Sequence, residues 1–164
     1  MNDLVIDVFE FCRLKDRREG KTEVTDLTRL AGEVIGDSGV VSWVLQGGSD
    51  SAGHPRLVLD ISGIVKLSCQ RCLGSLDFVI TSSAKLVIAK DEEEADRIDE
   101  VLADDDVDVI VGTKTLLITD LIEDEALLSI PLSVKHDVCP KSGIAALDAA
   151  KKPSAFAALK DLKR

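Results

Sequence analysis

Aromatic side chains are scarce in this chain of 164 residues: four Phe, one Trp and no Tyr, 3% in all. A nucleic-acid surface that stacks bases on rings needs several exposed ones, so that class is disfavoured. Positive charge is short as well. Twenty Lys and Arg stand against thirty Asp and Glu, a net charge of −10. A field of that sign repels phosphate backbones, which counts against a generic RNA or DNA binder and favours basic proteins as partners. Histidine occurs only twice, leaving few candidates for a general base. There is no G-x-S-x-G, no Walker lysine loop and no H-E-x-x-H. The chain reads as a non-enzyme. No apolar run approaches the ~18 residues that cross a bilayer. The opening "MNDLVIDVFEFCRLKDRREG" shows neither a basic leader nor a small-residue cleavage site, so no secretory signal is expected. The expected address is the cytoplasm, where disulfides are rare.

What the chain does have is 45% apolar residues, enough to fill a core, in a length that suits one domain. The clearest pattern is alternation. Leu57, Leu59, Ile61, Gly63, Val65, Leu67 and Cys69 share one face at period two. After "CQRCLG", "SLDFVITSSAKLVIA" alternates again at Leu76, Phe78 and Ile80, then Leu86 and Ile88. Two long strands with a short turn make a hairpin with Cys69 and Cys72 at its tip. "GVVSWVLQGG" is a further strand ending at Gly47-Gly48, followed by the turn "SDSAGHP". "LVIDVFEF" reads as a first strand, and the charged residues 12–21 as a loop or solvated edge. "VDVIV" reads as a short returning strand.

Two helices are expected. "TDLTRLAG" has Thr25 as N-cap, Asp26 in the first turn and Gly32 as a stop. "TDLIEDEALLSIP" is the stronger one, with Asp120 as cap, Glu123 completing a capping box and Pro131 ending it. Leu121, Glu125 and Leu128 fall on one stripe, so Glu125 should lie partly under cover and seek a partner. Residues 91–108 hold eleven acids and one base, Arg97, and read as a mobile acidic loop at 91–106. They lack the pattern of a calcium loop. The chain divides into an α+β domain at 1–140, a mostly antiparallel sheet with a long central hairpin and a few packed helices, and a flexible tail at 141–164. In the tail, Phe156, Leu159 and Leu162 recur at spacing three, as on a short docking helix that would be marginal alone.

Four cysteines outside an oxidising compartment suggest packing, metal binding or redox work. Cys69-x-x-Cys72 offers two thiolates in a tight turn, and "KHDVCP" offers His136 and Cys139 just past the stronger helix. Together they make the four-ligand set of a structural zinc. The plainer reading is that cysteines simply pack, as this residue type often does; Cys12, with no nearby partner, is read that way, and His54 as a solvated turn residue. A thiol-disulfide redox role for Cys69 and Cys72 is poorer, because active dithiols usually sit at a helix N-terminus and this pair follows a strand.

The order "TDLTRLAG", "LVLDISGIVKLSCQRCLGSLDF", acidic run, "DLIEDEALLSIPLSVKHDVC" and "PSAFAALKDLKR" resembles the bacterial YceD family, named for large ribosomal RNA subunit accumulation. "CQRCL" and "DLIEDEALLSIPLSVKH" followed by Cys are the most specific parts. The resemblance implies a non-catalytic part in 23S rRNA accumulation and large-subunit assembly. It maps the family's cysteine and histidine motifs onto Cys69, Cys72, His136 and Cys139 without deciding whether they bind metal. Candidate partner-binding residues are Arg71 at the hairpin tip, Asp120, Glu123, Asp124 and Glu125 on the helix, and Phe156 and Leu159 in the tail. The partner expected is a basic ribosomal protein or assembly factor held by the acidic surface. The alternatives are direct rRNA contact through Arg13, Arg17, Arg18 and Lys21 or through Lys151, Lys152, Lys160, Lys163 and Arg164, and a zinc-stabilised interaction module without a ribosomal link. Like-charge repulsion over a Debye length of about 10 Å favours the first.

Overall fold

The alternation at residues 57–69 and 76–88 becomes the centre of a sheet. In the computed structural model, which describes residues 4–102, 106–140 and 149, β4 (Pro55–Ser68) and β5 (Ser75–Ala89) pair antiparallel from Arg56↔Val87 to Ser68↔Ser75. β3 (Val40–Ser49) joins β4 with Trp43 opposite Ile61, and β2 (Arg17–Glu23) forms the edge beside β3. β6 (Val107–Val111) runs parallel to β5 at the other edge, giving the order β2-β3-β4-β5-β6. A separate two-stranded pair joins β1 (Val5–Ile6) to β7 (Leu116–Leu117). The architecture is α+β, as the sequence led one to expect.

Three helices cover one face: α1 (Val8–Leu14), α2 (Thr28–Glu33) and α4 (Ile118–Ser129). Their apolar sides meet Val41, Leu45, Leu57, Leu59, Ile80 and Ile88 from the strands, all buried. Each fully buried aliphatic of this kind contributes about 1.5–3 kcal/mol relative to exposure. Among the described residues, the opposite face is covered at its β5–β6 end, where α3 (Glu92–Val101) lays Ile98 over Val87 and Ala89.

Several elements depart from expectation. Residues 4–11 form a two-residue strand and then a helix, because Val8, Phe11 and Cys12 are buried at helical spacing and Asp7 caps the turn: its Oδ1 accepts from the N–H of Phe9 at 3.1 Å. Residues 17–23 form the solvated edge strand, with Arg17, Glu19, Lys21 and Glu23 exposed, a charged rim that discourages pairing with other chains. Most of the acidic run is a helix, not a mobile loop. Asp91 caps α3 by accepting from the N–H of Glu94 at 2.8 Å, and Glu92, Glu93 and Glu94 complement the positive helix start. One buried isoleucine, Ile98, anchors it. The tail proposed for 141–164 lies outside the described residues, Ala149 apart.

Neither expected cap of the other helices is made. Thr25 sits in a 3-10 turn (Val24–Asp26), and α2 starts at Thr28 with no capping side chain of its own. α4 begins at Ile118, ahead of Asp120, so the capping box does not form. Its buried stripe is Ile118, Ile122 and Ala126, while Leu128 is exposed.

Helix α1 lies so close to β3 that a Cβ on Gly47 would come within 2.6 Å of the Phe11 carbonyl oxygen. Backbone cannot yield there as a flexible side chain would. Gly47→Ala is expected to cost about 1–3 kcal/mol, read as a lower urea midpoint at unchanged m-value.

Candidate metal centre

The hairpin ends in a tight turn that aims two thiols at one point. Cys69 and Cys72 are both buried, and Leu73 takes a left-handed conformation (φ 59°) that turns the chain back into β5. The chain leaving α4 passes this tip. The N–H of Gln70 donates to the Val134 carbonyl at 2.8 Å, which sets residues 134–139 alongside the turn. His136 and Cys139 then complete the group. One donor atom from each of Cys69, Cys72, His136 and Cys139 lies within 4.8 Å of every other.

The individual distances fit coordination. Cys69 Sγ is 3.9 Å from Cys139 Sγ, and Cys72 Sγ is 3.4 Å from His136 Nδ1. Tetrahedral bonds of about 2.3 Å to sulfur and about 2.0 Å to nitrogen put such ligands roughly 3.5–3.8 Å apart. The 3.9 Å sulfur separation is far beyond a disulfide bond, and all four cysteines are free thiols. The other ring nitrogen, His136 Nε2, lies 3.1 Å from the Ser75 carbonyl. A carbonyl only accepts, so Nε2 carries the proton and Nδ1 presents its lone pair to the thiols. That is the arrangement in which a carbonyl orients a metal-binding imidazole.

Thiol acidity is uneven across the group. Burial pushes the Cys69 thiol up, but hydrogen bonds from the backbone of Cys72, His136 and Arg71 outweigh it and bring it down to about 5. The N–H groups of Arg71 and His136 each lie 3.4 Å from Cys69 Sγ. Cys139 is pushed up, by burial first and then by the neighbouring Cys69 and Cys72 sulfurs.

Of the residues proposed for partner binding, Arg71 is exposed at the tip and Asp120 is exposed on α4. Glu123 is not a surface contact: it is buried, and its Oε1 accepts from the N–H groups of Arg29 (2.5 Å) and Leu30 (3.1 Å) at the start of α2. Its Oε2 takes the Arg29 side chain at 2.8 Å, and Arg29 also reaches Asp124 at 2.6 Å. Glu125, half-buried, accepts a hydrogen bond from Ser82, the partner its position called for. These acids hold α2, α4 and β5 together. Phe156 and Leu159 lie outside the described residues. Cys12 packs in the main core, and His54 is held by Asp50 at 2.9 Å instead of being solvated freely. Ser75 and Val134 were not singled out beforehand; both act through main-chain carbonyls, for which a sequence carries no signal.

The basic group near the start is largely neutralised: Arg13 pairs with Glu10, Arg17 with Glu19, and Arg18 lies 3.9 Å from Asp16. Among the described residues, no helix is long and apolar enough to cross a membrane.

A family model described as large ribosomal RNA subunit accumulation protein YceD matches residues 57–163, more than half of the chain. No curated protein and no solved structure matches it.

Proposed function

This chain belongs to the YceD family, and from that premise we propose that it promotes 23S rRNA accumulation in the cytoplasm as a non-catalytic binding protein. The family's name ties it to accumulation of the large-subunit rRNA. In this reading the acidic body holds a basic ribosomal protein or assembly factor, and rRNA is reached through that partner.

The observation that carries this mode is where the charge lies. Residues 141–164 contain six Lys and Arg against two Asp, so residues 1–140 hold a surplus of fourteen negative charges. Helix α3 exposes Glu92, Glu93, Asp96, Asp99 and Glu100 along one ridge. A fixed ridge of that kind attracts cationic chains and repels bare RNA. The early arginines, each beside an acid, make a poor phosphate contact.

A structural zinc at Cys69, Cys72, His136 and Cys139 is part of this reading. Four protein donors, three of them thiols, are the set of a closed centre that stabilises without offering an open position to substrate.

Deletion in the source cell is expected to lower 23S relative to 16S rRNA, with the tagged protein sedimenting with large-subunit precursors. A normal rRNA ratio in the deletion strain, or tight binding of naked rRNA at physiological salt, would remove the respective half of the proposal.

A further inference from the structure

Two separate packing units meet at the hairpin tip. The main core takes in β3 to β5 and helices α1, α2 and α4, and is continuous without the tip. Cys69, Cys72 and Cys139, with Leu76 beside them, form a small unit of their own. Three hydrogen bonds besides the contacts among the four donor atoms join residues 134–139 to the tip: the Gln70 N–H to the Val134 carbonyl, the His136 N–H to Cys69 Sγ, and His136 Nε2 to the Ser75 carbonyl. Val138 in this stretch is exposed, as is Leu132 just before it, while half-buried Val134 packs against the main core. Past Val134 little apolar burial holds the strap, and the four donors are its main fastening.

We propose that one zinc ion, bound by Cys69, Cys72, Cys139 and Nδ1 of His136, is a local latch: it fastens residues 134–140 to the hairpin tip, while the sheet and its helices fold without it. The inference rests on the zinc reading above and is independent of the ribosomal one. Three thiolates and an imidazole favour zinc among common divalent ions, since oxygen-preferring magnesium and calcium find no carboxylate in the set. The Ser75 carbonyl at the start of β5 fixes the imidazole, so the site is set on the β5 side and closed by the strap. The latch has a consequence for the rest of the chain. Residues 141–164, with their six Lys and Arg, begin directly after the strap. With zinc bound, the chain up to residue 140 is held beside the hairpin tip; without it, the chain is released as far back as the end of α4.

The test uses the full chain purified without chelator. Metal analysis is expected to find close to one zinc per chain, and Co²⁺ exchanged into the site to give tetrahedral d–d bands with thiolate charge transfer. Hydrogen exchange is then followed before and after chelation. Amides of residues 69–74 and 134–139 are expected to exchange about tenfold faster or more once metal is removed, with those of β3, β4, β5 and α4 unchanged. Well under half an equivalent of zinc, or an octahedral Co²⁺ spectrum, overturns the metal site. Global unfolding on chelation, or no change at the strap, overturns the latch while leaving the site. The rRNA ratio of a deletion strain reports on the ribosomal role alone, so the two failures are distinguishable.

Discussion

Glu123→Ala is expected to destabilise the domain by about 3 kcal/mol, because it orphans two main-chain donors at the start of α2 at ~1–3 kcal/mol each. The N–H groups of Arg29 and Leu30 have the Glu123 carboxylate as their acceptor, and α2 has no capping side chain. The Arg29 guanidinium is about half exposed and returns to water, so the lost ion pair itself adds little. Glu123→Gln keeps an oxygen for the two donors and should cost about 1 kcal/mol. Burial pushes the Glu123 carboxyl up, but the N–H of Leu30 and then the side chain and N–H of Arg29 outweigh it and hold it below the usual carboxylate range. A carboxylate acidified by folding stabilises the protein above its unfolded value of about 4.3, and that contribution disappears as pH falls through the folded value. Urea unfolding from pH 7 to pH 3 should therefore show a steeper loss below about pH 4.5 in the wild type than in Glu123→Gln. Asp50 is also depressed: burial opposes this, and the His54 side chain and the N–H groups of His54 and Ala52 overcome it. The slope in the variant is thus reduced, not abolished. Identical pH profiles would show that Glu123 does not clamp α2 to α4.

The same residue shows where the sequence was legible and where it was not. Glu123 three positions after Asp120 has the spacing of a capping box, and local spacing is all that a linear pattern offers. Its real partners, Arg29 and Leu30, lie more than ninety positions away. The β4–β5 hairpin could be read because burial alternates at period two along β4 and along β5 as far as residue 84. The acidic segment was misread for the opposite reason: its net charge masked a single apolar anchor, Ile98, and a capping Asp91. The metal group was legible as two motifs, since thiols and imidazoles are rare enough to stand out. Their convergence needed the 2.8 Å hydrogen bond between Gln70 and Val134, which joins main chain to main chain and leaves no trace in residue identity.

Reversing the α3 ridge with Asp96→Lys, Asp99→Lys and Glu100→Lys is expected to weaken capture of the basic partner by about tenfold or more at 0.15 M salt. The three side chains are exposed, and among the described residues they cap nothing and bury nothing that holds α3 in place. They lie in the later part of the helix, where cations suit its negative end, so folding should stay within about 0.5 kcal/mol per site or improve slightly. The cap at Asp91 and the anchor at Ile98 are untouched, so loss of binding cannot be assigned to loss of the helix; circular dichroism and the urea midpoint verify this. The substitutions move the chain's charge by six units, from −10 to −4. If the acidic body works by holding a cationic protein, recovery of large-subunit precursors should fall, and the wild-type interaction should itself weaken as salt is raised. If the protein instead touches rRNA directly, removing three negative charges should strengthen recovery of RNA. The two modes therefore predict opposite signs in one pull-down, and an unchanged recovery of both protein and RNA would mean that α3 faces neither.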